Sequence, residues 1–243
     1  VTDSIRNWVD EKTVNLRLTM ATAVSSKSAF RHNATGVLLV GTPSQELIEQ
    51  LHALRIPFVI LSNNPPDSDE DLVTTDKFEE SLRVCNYLSK RGIRRIGLMI
   101  PDIDLIYSEG FRCGAARYGM ELREEDIRFV SSTDNSSYLA PIHQMFEAGA
   151  LPEALIFASY DAACLCEEML KLRGLRIPDS LLLAAFTDYR PSGDNRFVTI
   201  RFDTPEMSRL AIERLLHKIE EPSRPSYRIV MPMQIYDISQ SEN

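Results

Sequence analysis

The chain has 243 residues, 44% hydrophobic and 26% charged, and its 27 basic against 35 acidic side chains give a formal net charge of −8. That length exceeds what one minimal core needs and suits two lobes of about 100–150 residues each; the composition is ordinary for a globular protein and sets aside disordered and fibrous readings. An acidic surface repels the phosphate backbone, so these residues alone are not expected to grip DNA.

In chain order, Ile5, Trp8 and Val9 predict a short opening helix, and residues 14–21 alternate like a strand. Residues 36–40 read as a buried strand, 43–54 as a helix with Leu47, Ile48 and Leu51 inward, and 57–61 as the next strand, closed by a turn-rich segment over 62–68. A helix over 77–90 puts Phe78, Leu82, Cys85 and Leu88 on one face with Gly92 as its C-cap, and a strand follows at 95–100. After Pro101 the alternation restarts: helix 105–118, strand 127–130, helix 137–148, strand 154–158, helix 162–173, strand 181–186. A strand at 197–200 leads into a helix with Thr204 as N-cap and Pro205 at its first position, and 228–236 alternates as a late edge strand. Short apolar runs alternating with longer amphipathic stretches predict an α/β fold of doubly wound parallel sheets.

No run of about 18 apolar residues occurs and no basic-then-apolar leader opens the chain, so a cytoplasmic protein is expected. The four cysteines, Cys85, Cys113, Cys164 and Cys166, fall inside helical patterns and are expected as reduced core thiols. Cys164 and Cys166 lack a second pair or a histidine at zinc spacing, and neither a metal nor a cofactor is expected. Gly-x-Gly-x-x-Gly after a strand, a Walker-type loop and a Gly-x-Ser-x-Gly elbow are all missing, and the four histidines are scattered, so no enzyme is expected. Asp102 and Asp104 after a strand could do acid–base or Mg²⁺ work, or could simply be solvated loop acids. In an open parallel sheet, ligands sit beyond the carboxyl ends of strands. The candidate loops are therefore 41–43, 62–64, 101–106, 159–161 and 186–188.

At those loops the sequence resembles the LacI/GalR family. Gly36-Val37-Leu38-Leu39 with Ile56-Pro57-Phe58-Val59-Ile60-Leu61 looks like that family's DGIIL and IPVVLID segments. Val73-Thr74-Thr75-Asp76, followed by Tyr87 to Gly97, looks like V-x-x-D and HLIELGHRRIG. Gly110-Phe111 with Tyr118-Gly119 matches the GF…ALxxxG helix. Ala158-Ser159-Tyr160-Asp161 with Gly174 to Pro178 matches ANDxxA…GxxIPxD, and Phe197 to Arg201, Glu206-Met207 and Pro232 to Ser239 echo LTTIxxxxxEMG and the terminal PxxLxxRxS. The pieces occur in order across residues 36–239.

The resemblance implies a periplasmic-binding-protein-like type I fold: lobes over 1–101 plus 195–220 and over 102–194 plus 221–243, three crossovers near Pro101, Asp194 and Glu221, and a cleft holding a small effector such as a sugar or related metabolite. It further implies a homodimeric repressor that reads DNA through an N-terminal helix-turn-helix head lying outside this chain, with effector binding shifting the lobes. The alternative is a periplasmic solute-binding protein of an ABC-type transporter, against which the lack of a leader and the unpaired cysteines argue. The effector-binding residues it implies are Tyr107, Tyr160, Asp161, Thr187, Asp188 and Phe197, together with Asp102. Asp161 and Asp188 are kept from the family pattern, and helix N-capping is an equal reading for Asp161. Tyr107 stands where the family has an effector-gripping Arg, Tyr160 where it has Asn, and Thr187 where it has Asp. The loss of that Arg and Asp removes two charged hydrogen-bonding groups, and tyrosines offer flat apolar faces with a hydroxyl at the rim instead, with core packing an equal reading for Tyr107 and Tyr160. The family also has an earlier strand at the centre of its first lobe. A parallel sheet lacking it would leave backbone groups unpaired, so part of that lobe and of the pocket wall is expected upstream of Val1.

Overall fold

Runs of Val, Ile, Leu and Phe bounded by Gly, Pro and Asn set the strands, and amphipathic stretches between them set the helices. The structure, a computed structural model, describes Ile5 and residues 34–102, 104–131, 135–149, 151–175, 181–188 and 197–237. Apart from Ile5, the expected opening helix and the strand at 14–21 lie outside the described residues. The described elements run β1 (Val37–Val40), α1 (Gln45–Ala53), β2 (Phe58–Leu61), β3 (Leu72–Thr74), α2 (Lys77–Lys90), β4 (Ile96–Pro101), α3 (Leu105–Arg117), β5 (Ile127–Val130), α4 (Leu139–Glu147), β6 (Ala154–Phe157), α5 (Tyr160–Leu172), β7 (Leu182–Thr187), β8 (Val198–Arg201), α6 (Thr204–Glu220), β9 (Arg228–Val230) and β10 (Gln234–Tyr236).

Two units result, one of residues 1–76 and 203–231, the other of residues 77–202 and 232–243. The chain passes between them three times, but not where the sequence placed the crossovers. β4 pairs with β5 and β6, and β8 pairs with β7, so residues up to 101 and from 195 cannot all belong to the first unit. The late segment 228–236 is likewise not one edge strand. Pro232, with no N–H to give a ladder, separates β9, which pairs parallel with β3, from β10, which pairs antiparallel with β8.

In the first unit the strands lie parallel in the order β1-β2-β3-β9. Leu47, Ile48 and Leu51 of α1 are buried against Leu39, Phe58 and Ile60, as their spacing predicts. The α6 helix is capped by Asp203, whose side chain accepts from the Glu206 amide, so Thr204 is its first residue and not its cap. A wholly buried carboxylate, Asp71, ties three distant pieces of chain together. It accepts from Arg214 Nε at 2.5 Å, from Lys218 Nζ at 2.6 Å and from the Tyr227 amide at 2.9 Å. Burial pushes this carboxyl up, but those hydrogen bonds outweigh burial and hold it below its ordinary value.

The second unit has the order β10-β8-β7-β6-β4-β5, parallel except for β10. Period-two alternation sends Ile96, Leu98 and Ile100 of β4, with Ala184 and Phe186 of β7, to one face against α2 and α3. Met99, Leu155, Phe157, Leu183 and Ala185 face the other way, against α4 and α5. Helices cover both faces, so the unit is doubly wound as expected. All four cysteines are free; Cys85 and Cys166 are buried core thiols, both pushed up to about 12 by desolvation, whereas Cys113 is exposed on α3, contrary to expectation.

Helices α2 and α3 touch through small residues one helical turn apart. A Cβ on Gly110 would lie 2.8 Å from the Ser81 Cβ, and one on Gly114 would lie 2.6 Å from the Cys85 sulfur and 2.8 Å from its Cβ. Gly114→Ala gains helix propensity yet overpacks this contact, and it is expected to lose about 1–3 kcal/mol in urea unfolding, while Cys113→Ala on the exposed side stays within about 0.5 kcal/mol. For Asp71 the sign is that of a depressed carboxyl: its stabilisation is full above the unfolded value of about 3.9 and is lost as pH falls through the lower folded value. Asp71→Asn should cost about 3–5 kcal/mol at neutral pH by taking the buried counter-charge from Arg214 and leaving Lys218 only the more distant Glu70, and should flatten the fall in urea midpoint below about pH 4. An unchanged acid limb would assign that fall to other carboxylates.

Candidate functional site

The strand order of the second unit contains a reversal. β4 precedes both its neighbours in the chain, with β5 on one side and β6 on the other. The helix after β4 covers one face of the sheet, and the helices after β5 and β6 cover the opposite face. The loops leaving β4 and β6 therefore part in opposite directions and open a crevice beyond the carboxyl ends of the strands, where doubly wound sheets take their ligands.

Register places the expected residues around it. Met99, Phe157 and Ala185 form one row across β4, β6 and β7, and three residues beyond that row come Asp102, Tyr160 and Asp188. Asp102, Asp161 and Asp188 are exposed, Tyr160 is half-buried and Thr187 is buried. The N-cap of α5 is Ser159, whose hydroxyl accepts from the Ala162 amide, so capping is not the part Asp161 plays. Phe197 is not brought to this end. It enters β8 at its amino end, in the core on the α4/α5 face, with its ring centroid 5.4 Å from that of Tyr160.

Tyr107 takes the core setting, one of the two equal readings of its position. It is 3% exposed, and its ring lies 4.7 Å from that of Phe186 and 6.4 Å from that of Phe111. Beneath the crevice it meets a group that the sequence did not single out. Lys77, the first residue of α2 and only 6% exposed, donates its ammonium to Asp104 and lies 5.0 Å from the Tyr107 ring centroid. Burial first, then the Asp104 and Glu80 carboxylates, raise the Tyr107 hydroxyl well above its ordinary value, so it stays a proton donor throughout the neutral range. No hydrogen bond to this hydroxyl occurs among the described residues. Tyr138, pushed up to about 12 by burial and then by Asp104, is a second neutral phenol near the same carboxylate. Twenty-seven positions separate Lys77 from Asp104, and no local pattern marks a pair so far apart; only the side-by-side packing of α2 and α3 does.

Among the described residues no group of three or more His, Cys, Asp or Glu side chains could hold a metal ion, and no helix is long and apolar enough to cross a membrane. The arrangement offers carboxylate acceptors at the rim, phenol and hydroxyl donors below and aromatic faces between, which is the chemistry that holds a small polyhydroxylated ligand.

Residues 85–237 match the family of periplasmic binding protein-like domains. The HTH-type transcriptional regulator GalR of Streptococcus thermophilus is 28% identical over 214 residues, covering 81% of this chain and 62% of the relative. The ribose operon repressor of Escherichia coli K12 is 22% identical over 214 residues, covering 84% and 64%. The chain thus spans a little over three-fifths of the length of these two relatives. Among solved structures, a LacI family transcriptional regulator from Enterococcus faecium with bound ribose superposes with a TM-score of 0.80 at 15% identity, covering 97% of this chain and 90% of that one.

The burial of Tyr107 sets the outcome of truncating it. Tyr107→Ala is expected to lower the unfolding free energy by about 3–5 kcal/mol, as deletion of a buried ring does. Tyr107→Phe keeps the ring against Phe186 and should stay within about 1 kcal/mol; chemical denaturation of both variants checks this.

Proposed function

This chain belongs to the family of periplasmic binding protein-like domains, and we propose that it is the effector-binding part of a LacI-like transcriptional repressor, sensing a sugar or related small metabolite. The observation that carries the proposal is the reversal of strand order at β4/β6, beyond which one register row brings Asp102, Tyr160 and Asp188 to the carboxyl ends of the strands, with Asp161 and the buried Thr187 beside them. That the similar proteins are transcriptional regulators, one of them with bound ribose, supports a regulator over a transport receptor. In this reading Asp161 and Asp188 accept hydrogen bonds from ligand hydroxyls, Tyr160 and Thr187 shape the wall, and the buried Tyr107 hydroxyl donates from below. Phe197 serves by backing the Tyr160 ring. The protein works in the cytoplasm as a homodimer and meets DNA through a helix-turn-helix head outside these 243 residues, since a net charge of −8 disfavours direct contact with phosphates.

Ligand binding to the folded state raises the thermal midpoint. A sugar at about 100 times its dissociation constant should add about 2.7 kcal/mol, a shift of several degrees for a chain of this size. Asp161→Ala and Asp188→Ala, both at exposed positions, should abolish most of the shift while leaving the unliganded midpoint within about 2 °C. A shift that survives both substitutions would place the ligand elsewhere.

A further inference from the structure

We propose that Lys77 and Asp104 are specificity-determining residues that together read a neutral vicinal diol: one ligand hydroxyl accepts from the Lys77 ammonium and donates to the Asp104 carboxylate, and the hydroxyl on the next carbon accepts from Tyr107. The inference rests on the reading that a small ligand occupies the crevice beyond β4, β6 and β7, and it names the chemical group which that ligand must carry.

Hydrogen-bonding capacity left over at the ion pair leads there. Lys77 opens α2 and Asp104 stands just before α3. An ammonium has three donors. One goes to Asp104 Oδ1, the Tyr107 ring centroid lies 5.0 Å away, and no second hydrogen bond from this ammonium occurs among the described residues. Asp104 holds the cap position of α3 without capping it, and its Oδ2 accepts no hydrogen bond among the described residues. The Tyr107 hydroxyl, on a side chain more than nine-tenths buried, likewise makes none. The Lys77 side chain is 6% exposed and that of Asp104 15%, so the pair is reached from the surface through its carboxylate. Buried polar groups are seldom left with capacity unused, because each such donor or acceptor has given up water without return.

The residue types decide what completes them. An ammonium only donates and a carboxylate only accepts. A ligand phosphate or carboxylate could take the ammonium's donors but would set its own charge against Asp104, and a ligand ammonium could give to Asp104 but would face Lys77. A hydroxyl meets both demands at once, accepting from one member of the pair and donating to the other. Tyr107 stays protonated through the neutral range and gives its proton to the neighbouring oxygen; since the ammonium packs on its own ring, both donors address the same part of the ligand. Two hydroxyls on adjacent carbons are the smallest neutral group that satisfies all three side chains. Deoxygenation at either carbon strands a buried group of the protein.

The test is calorimetric titration with D-ribose, D-galactose, D-glucose and each of their monodeoxy analogues, on the wild-type protein, on Tyr107→Phe and on a double variant carrying Lys77→Met with Asp104→Leu, thermal midpoints being recorded first. The double variant replaces a buried pair by apolar side chains of similar volume and so strands no charge; Lys77→Met alone takes its place should it not fold. In the wild-type protein, the sugar that binds should lose about tenfold or more in affinity when either of two neighbouring hydroxyls is removed. The double variant should cancel the loss at the first of these positions, sugar and deoxy analogue then binding within about twofold of each other, and keep the loss at the second. Tyr107→Phe should cancel the second alone. A side chain with only a structural part would leave these ratios unmoved. A bound sugar without two neighbouring losses, or losses that persist in the folded variants, overturns the role of the pair while the crevice stands as the site. If no sugar or analogue binds, the reading of the crevice falls and the inference with it.

Discussion

Everything proposed for this protein depends on one constraint in the second unit: β4 is laid down first and then flanked on both sides. A parallel sheet must return each strand by a crossover, and crossovers of one hand put the helix after β4 on one face and the helix after β5 on the other. The crevice is the gap left where those two paths diverge. It exists because of backbone topology, so the residues lining it can vary without closing it. That freedom has a cost in packing. The helices α2 and α3 must lie side by side over the same face as Phe186 and Ile100, and they do so only because Gly110 and Gly114 let the Ser81 and Cys85 side chains approach the α3 backbone.

Two buried ion pairs show how similar chemistry can serve different ends. Asp71 is saturated by a guanidinium, an ammonium and a backbone amide, and its three partners come from residues 214, 218 and 227. It fixes the late segment against β3, and any replacement leaves charge stranded in the core. Lys77 and Asp104 are joined by a single contact at the edge of a crevice, with donor capacity remaining on the lysine. A buried ion pair is weak grounds for extra stability, because well-packed apolar residues often do as well. The first makes a three-way tie between distant pieces of chain, whereas the second joins only the starts of α2 and α3.

Much of the fold was legible because strands and helices here follow their periods closely. The strands at 36–40, 57–61, 127–130 and 181–186 and the helices between them lie within a residue or two of expectation, and the carboxyl-end loops holding Asp102, Tyr160, Asp161 and Asp188 followed from strand direction alone. What pattern could not supply was partnership. Nothing local says that β4 pairs with β6 and not with β3, so the unit boundaries were set wrongly at Pro101, and the three-residue β3 is too short to carry a period. Thr204 was taken for the cap because it precedes Pro205, whereas Asp203 makes the bond. For Tyr107 the sequence left a core position and a ligand-facing one equally open; its depth depends on Phe186 and Lys77, which no window around residue 107 contains.

The replacement of a guanidinium by a phenol at residue 107 changes how the site can discriminate. An Arg would bring a fixed charge and a bidentate fork, strong for any carboxylate or phosphate and tolerant of many hydroxyl patterns. A buried neutral phenol donates one bond in one direction. A ligand that lacks the matching hydroxyl leaves that donor unpaired in a dry setting, and such sites reject near-isosteres by large factors because the penalty falls on the protein's own polar group. On this reading stereochemistry is read by Tyr107 and the rim aspartates, above the Tyr107–Phe186–Phe111 packing on which the end of the sheet rests.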